Sequence, residues 1–376
     1  MLFLMKIAFV RTASSPLRIG SYNIQELGLA KALLKHQISS DFFACFSNVK
    51  TSFVWTEQNG ARIEVHPLRG YAVYKEMVFY PYLYRSLKRG GYAVVLLEDD
   101  SQPMLPYLFK RLRALGVRTV LWQGMYRSFD NKLAALLQKA YDFVFKNWII
   151  RNADVKLAKT EYARKYLEGK GYRDVGLLKV GLDAVETSED ARLENLVDAF
   201  CVARSKTLLY VGVIDHRRDV LFLLSLLKTL KDQGVGLIIV GKGRGLSEVS
   251  EYMAEHELEE AVLLIEHLEN SKLHLVFSRA DIFLLPTRYE IYGMVVLEAL
   301  SFGLPVISGR EAGPLSILSD RELGLCEDLV ADKWLAALDF YFSHFNAEVN
   351  KNNRRALVAQ VYSWPAIGDV FLAYIS

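Results

Sequence analysis

Residues 281–309 read DIFLLPTRYEIYGMVVLEALSFGLPVISG, and they decide the fold. Residues 281–285 form a short apolar run of strand length, closed by Pro286. A turn is expected over 287–290, after which 292–302 carries apolar residues at helical spacing. Gly303 and Pro305 stop that helix, and Val306-Ile307 begins a second buried strand. Strand, loop, helix and strand in this order make one unit of a parallel α/β sheet.

Two carboxylates punctuate the unit: Glu290 just before the helix and Glu298 eight residues later. Eight helical residues rise roughly 12 Å, about the reach from a sugar ring across a diphosphate to a ribose. Between them the amides of Tyr292, Gly293, Met294 and Val295 sit at the helix start, where unpaired N–H groups and the dipole favour an anion. Gly293 lets a phosphate approach the backbone. The expected ligand is a nucleotide-sugar, with Glu290 on sugar hydroxyls, Glu298 on ribose hydroxyls and the diphosphate on the amides between. Two glutamates at arbitrary spacing would more simply cap or solvate a surface helix; the surrounding residue order separates the two readings.

That order, Pro286-x-x-x-Glu290-x-Tyr292-Gly293-x-x-x-x-Glu298-Ala299 followed by Gly303-x-Pro305-Val306, resembles the Glu-x7-Glu donor motif of retaining GT-B glycosyltransferases, in the large family often called family 4. The resemblance implies an α/β fold of the GT-B type: two Rossmann-like domains facing a cleft, with a C-terminal helix returning to the first. The expected division is 1–182 for the acceptor domain, 183–360 for the nucleotide-sugar domain and 361–376 for the returning helix, with an acidic linker over 183–195. The implied reaction moves a hexose-type sugar from a UDP- or GDP-linked donor to a glycan or lipid-linked acceptor, with retention at the anomeric carbon. No metal and no cofactor are expected.

Further site residues follow from the same resemblance. Loop 213–219 lies over the donor phosphates; Arg218 matches the family's lysine, Val213 stands where the family has arginine, and Arg217 can replace that missing charge. Glu290 and Arg218 are the expected catalytic pair. Gly241 belongs to the nucleotide pocket wall, and the main chain of Leu268 reads the nucleobase. Gly20, in the loop 14–21 before the first long helix (expected over 22–36), stands near the donor phosphates, although the family's two adjacent glycines are here Gly20-Ser21. Asp99 and Asp100, in the run Glu98-Asp99-Asp100, are read as acceptor-side or helix-capping residues. Gln123 stands where many relatives place a histidine; its amide can hydrogen-bond a sugar hydroxyl but cannot act as a base.

Composition bounds the rest. The chain has 376 residues, 52% of them hydrophobic, enough for two ordinary domains. Cys45, Cys201 and Cys326 lie far apart, without metal-ligand spacing, which fits a reducing compartment. Residues 1–5 are apolar but too short for a signal peptide, and no stretch reaches membrane length, so a cytoplasmic protein is expected, soluble or peripheral at the inner face of the plasma membrane. Residues 1–182 hold 28 Lys+Arg against 14 Asp+Glu, net +14, while the remainder holds 18 against 29, net −11. The first half also clusters Tyr71, Tyr74, Phe79, Tyr80, Tyr82 and Tyr84 ahead of Arg85, Lys88 and Arg89. This is either a solvated basic surface over an aromatic core or a face for an anionic membrane; nucleic acid is not an expected partner. Two other functions remain open on sequence: a sugar-nucleotide 2-epimerase-like isomerase on the same architecture, and a non-catalytic GT-B scaffold, suggested by Val213 and the missing histidine.

Overall fold

The computed structural model describes residues 5–13, 15–20, 23–74, 77–129, 131–185, 187–344 and 347–376. Residues 1–4, Ser14, Ser21, Tyr22 and the side chain of Tyr74, all named above, lie outside the described residues. The chain divides into a first unit, Met1–Asp183 with Tyr362–Ser376, and a second unit, Ala184–Val361.

The first unit runs β1 (Lys6–Val10), α1 (Gln25–Leu33), β2 (Ser39–Ala44), β3 (Phe53–Gln58), β4 (Ala61–Pro67), β5 (Tyr71–Tyr74), β6 (Met77–Phe79), α2 (Leu83–Arg89), β7 (Val94–Glu98), α3 (Leu105–Arg113), β8 (Arg118–Gln123), α4 (Lys132–Asn152), β9 (Val155–Ala158), α5 (Glu161–Gly169) and β10 (Val175–Leu177). Eight strands make one sheet in the order β10-β9-β8-β7-β1-β2-β4-β3, parallel except for the edge strand β3, while β5 and β6 form a separate ribbon. Ile7, Ala8, Phe9 and Val10 are fully buried, as a central strand covered on both faces requires. Strand β1 pairs with β2 on one side and β7 on the other, so the chain order reverses beside it.

The second unit runs α6 (Ala191–Val202), β11 (Lys206–Val211), α7 (Val220–Leu230), β12 (Val235–Val240), α8 (Leu246–Glu255), β13 (Val262–Ile265), α9 (His274–Phe277), β14 (Ile282–Leu285), α10 (Met294–Ser301), β15 (Val306–Gly309), α11 (Ala312–Ile317), β16 (Gly324–Glu327), α12 (Ala331–Ser343) and α13 (Glu348–Val361). Its six strands are all parallel, in the order β13-β12-β11-β14-β15-β16. This is the doubly wound Rossmann order, with its reversal between β11 and β14. On α13, Arg354 is fully buried and donates to the carbonyls of Gly303 and Glu322, both at 2.7 Å.

The last helix, α14 (Trp364–Ile375), packs on α1 within the first unit. Trp364 is 6% exposed, and a Cβ built on Gly28, in mid-α1, would lie 2.1 Å from its indole ring. Glycine at position 28 is therefore what lets the tryptophan seat. Lys35 and His36 pair with Asp369 at 2.9 Å, and Arg118 donates to the final carbonyls of Tyr374, Ile375 and Ser376.

Three boundaries differ from the sequence reading. The segment read as a linker over 183–195 becomes α6 at Ala191, because the Asp190 side chain accepts the Leu193 amide at 3.0 Å and starts a helix there. The expected 22–36 helix begins at Gln25 and tightens to a 3-10 turn over Leu34–His36. The helix expected from Tyr292 begins at Met294, since Gly293 takes a left-handed φ of 87° and holds the preceding residues out of the helix.

Candidate active site

Open α/β sheets place ligands beyond the carboxyl ends of their strands, where the strand order reverses. In the second unit that point lies after β11 and β14, which pair through Leu208–Ile282 and Leu209–Phe283. The loops leaving these strands are tied together: the Arg288 amide donates to the Arg217 carbonyl at 2.9 Å, and the Arg288 guanidinium pairs with Asp219. Asp219 sits at φ 31°, so the first loop turns sharply into α7 and delivers Arg218 to the second.

Arg218 reaches Glu290 at 2.6 Å and the Thr287 hydroxyl at 3.3 Å. The other oxygen of Glu290 accepts from the amides of Gly293, at 3.0 Å, and Tyr292, at 3.3 Å. Glu290 is thus a carboxylate seated between a guanidinium and the amides leading into α10, a position that suits negative charge. The sequence reading gave the amides of Tyr292, Gly293, Met294 and Val295 to a diphosphate; the structure assigns the first two to Glu290 itself. A carboxylate two or three residues upstream can fold back on those amides by the geometry of a helix cap.

Glu298 lies on the second turn of α10 and is half-buried. Burial alone pushes its carboxyl up to about 7, because no neighbouring cation offsets the lost hydration. A carboxyl poised in this way gains from hydroxyl donors, which favour its charged form.

The other expected donor residues are placed less directly. The Arg217 guanidinium is engaged by Asp215 at 2.9 Å rather than directed to Glu290. Gly241 is needed for packing: with φ 156°, a Cβ there would sit 1.8 Å from the Gly212 carbonyl oxygen. Leu268 follows β13 and is half-buried, its neighbour His267 exposed. Gly20 occupies a turn in the first unit at φ 90°, with open space around it.

At the carboxyl edge of the first unit's sheet the expected acceptor residues separate. Gln123 is fully buried and Asp100 is 1% exposed. Gln123 accepts the Asp100 amide at 3.0 Å and donates to its carboxylate at 3.2 Å, while Lys170 and Tyr172 hold the other Asp100 oxygen. These two residues link β7 to β8 beneath the surface. Asp99 is half-exposed, takes a left-handed φ of 55°, and has its carboxyl raised to about 6 by burial and by the Glu98 charge. The sequence reading missed the groups beneath it. Glu26, fully buried on α1, lies beside Glu98, which Lys159 holds at 2.7 Å. Desolvation raises the Glu26 carboxyl, while the Lys159 charge holds Glu98 low, so the two buried carboxyls are pushed apart. A charged residue directly after an apolar strand, as at Lys159, was the available signal.

Among the described residues Asp41, Glu64 and His66 bring potential metal-ligand atoms within 4.8 Å of one another. Lys6 and Tyr92 already donate to Asp41, at 2.7 and 2.5 Å, so an ammonium supplies the positive charge there.

Two Rossmann-like units, the second bearing an arginine–glutamate pair at its strand reversal and the first completed by the last helix, define the GT-B class. Within it, residues 201–364 match the family model for glycosyl transferases group 1. The chain is 27% identical over 173 residues to glycogen synthase of Mycobacterium tuberculosis, covering 45% of this chain and 40% of that one. It is also 27% identical over 191 residues to an uncharacterized 41.2 kDa protein of the Klebsiella pneumoniae cps region, covering 49% and 52%. The chain therefore spans about half, or less, of the length of these curated relatives. Sucrose-phosphate synthase of Thermosynechococcus elongatus shares the fold with a TM-score of 0.73, 17% identity and 98% of each chain covered. HepE of Anabaena, in complex with UDP, gives 0.73 at 15% identity over 98% of this chain and 99% of that one.

Proposed function

We propose that this protein transfers a hexose-type sugar from a UDP- or GDP-linked donor to a glycan or lipid-linked acceptor, with the anomeric configuration retained. The observation that carries the reading is the seating of Glu290 between Arg218 and the amides entering α10. In the proposed complex the donor diphosphate lies over the start of α10 and draws Arg218 to itself, freeing Glu290 to accept hydrogen bonds from the sugar. Glu298 ionises as it accepts the ribose hydroxyls. Anabaena HepE, solved with UDP and with UDP and glucose, supports a uridine donor by likeness of fold.

The bond from the anomeric carbon to the phosphate oxygen breaks while the acceptor oxygen bonds to that carbon on the same face. The acceptor's proton passes to the departing phosphate oxygen, so no side-chain base is required. Arg218 and the helix dipole stabilise the charge that develops on the diphosphate. Asp99 of the first unit is offered as a hydrogen-bond acceptor for the incoming hydroxyl. As proposed, the chemistry draws on no metal or cofactor. The proposed setting is a reducing compartment beside a membrane, a reading supported by three unpaired cysteines and the net positive charge of residues 1–182.

The test is a screen of UDP- and GDP-sugars by melting shift, followed by transfer assays with the wild type and Glu290→Ala. Transfer with retained configuration in the wild type, lost in a folded Glu290→Ala, is expected. Undiminished turnover by that variant removes Glu290 from the mechanism, and conversion of UDP-GlcNAc without an acceptor replaces the transferase reading by an isomerase.

A further inference from the structure

Helix α4 seats Ala134 and Ile149 in the core but otherwise presents polar groups inward, and it carries most of its large apolar side chains on its outer side. Gln138, buried, donates to the Tyr166 hydroxyl at 3.0 Å and accepts the Phe129 amide at 3.4 Å. Tyr141 donates to the Gln102 carbonyl at 2.8 Å, and Asp142 pairs with Lys170 at 2.8 Å. The solvent side carries Leu133, Leu136, Leu137, Phe143, Val144 and Trp148, with Leu136 63% and Phe143 86% exposed. A helix that merely covers a core shows the reverse pattern. At about 100° per residue these six positions form one stripe along the 21-residue helix.

Cations border the stripe on both flanks. Lys132, Lys139 and Lys146 recur at seven-residue intervals along one side. On the other, Trp148 meets Lys110 of α3 at 4.8 Å, and Arg111 lies over Tyr107 at 5.5 Å. Tyr107 packs edge-on against Tyr84 of α2 at 5.4 Å, which continues the face. The one acid on α4, Asp142, is taken up by Lys170.

We propose that this face of the first unit docks onto a lipid bilayer with anionic headgroups, α4 lying in the interface with its apolar stripe among the acyl chains and its lysines at the phosphates. Charge complementarity selects this occupant: a second copy would bring the lysine rows together, whereas anionic lipid supplies both the negative charge and the apolar layer. Among the described residues no helix is long and apolar enough to cross a membrane, so α4 lies on the bilayer. Of the aromatic cluster over 71–89, Tyr80 is buried while Tyr71, Phe79 and Tyr82 are exposed, and the continuous stripe of six exposed apolar side chains lies on α4. The inference names the partner of the acceptor-bearing unit but rests on α4, not on the transferase reading.

The full chain is floated with vesicles of phosphatidylcholine alone and with added phosphatidylglycerol, at low and high salt. Binding is expected only to the anionic vesicles, weakened by salt, with Trp148 emission quenched by brominated acyl chains and that quenching lost in Trp148→Phe. Combining Leu136→Ser, Phe143→Ser and Val144→Ser is expected to lower partitioning by about a hundredfold while leaving the melting curve intact. The proposal is overturned if the wild type does not float with anionic vesicles at low salt, or if the triple variant floats equally well. It is also overturned if the triple variant instead abolishes a concentration-dependent self-association, which would make a second copy the occupant. The UDP melting shift, measured on the same proteins, keeps the two readings apart: a shift without flotation sinks docking alone, and flotation without a shift sinks the transferase alone.

Discussion

Arg218 pairs with Glu290 and donates to the Thr287 hydroxyl, next to the position proposed for the donor diphosphate. Arg218→Ala is expected to lower kcat on the order of 10²–10³-fold, and Arg218→Lys to recover only part of that, because an ammonium lacks the planar fork. Steady-state transfer rates check both. Glu298 gives a pH signature. Its folded pKa is raised from 4.5 to about 7, so the stabilisation from keeping it protonated is complete below pH 4.5 and is lost as pH rises through about 7. Ribose hydroxyls donate to the charged form, so nucleotide affinity is expected to rise with pH up to about 7 and level off above it, with net proton release on binding below about 7. Calorimetry in buffers of different ionisation enthalpy measures the protons, and Glu298→Gln is expected to flatten the profile. A flat wild-type profile removes Glu298 from the ribose.

The unit β14–α10–β15 could be read directly from the sequence. Its strand runs are continuous apolar segments, Gly303 and Pro305 mark the stop, and Glu290 and Glu298 mark the chemistry. What could not be read is what pairs across strands. Nothing in Glu98-Asp99-Asp100 says that Asp100 turns under the sheet to Gln123 while Asp99 takes a left-handed bend; that follows from the β7–β8 register, in which Glu98 faces Trp122. Likewise α4 was legible as a helix, but the inward polar contacts of Gln138 and Tyr141 depend on partners from α5 and the loop before α3. At the seam of α1 and α14, Gly28→Ala is expected to cost about 1–3 kcal/mol through overpacking, with the smaller ring of Trp364→Phe relieving part of it. Denaturation followed by tryptophan fluorescence checks the single and double variants, and simple additivity would count against the contact.

Across the whole molecule, charge and connectivity carry the organisation. The net +14 of residues 1–182 against −11 in the remainder was visible without a structure, whereas the surface that gathers the positive charge beside apolar side chains was not. The first unit is discontinuous: Tyr362–Ser376 completes a body begun at the other end of the chain. Removal of residues 362–376 is therefore expected to damage the first unit selectively, stripping Gly28, Lys35, His36 and Arg118 of their partners, while the arginine–glutamate pair of the second unit persists. Hydrogen exchange resolved by segment checks this: α1 and β8 should lose protection, and α10 should keep it.

The same discontinuity orders events during synthesis. Residues 1–183 leave the ribosome with the groove along α1 still unfilled, and the entire second unit is made before Trp364 can enter it. Until then the nascent chain carries an open apolar seam at its beginning, a natural handhold for a chaperone, and the closing stitch is tied last.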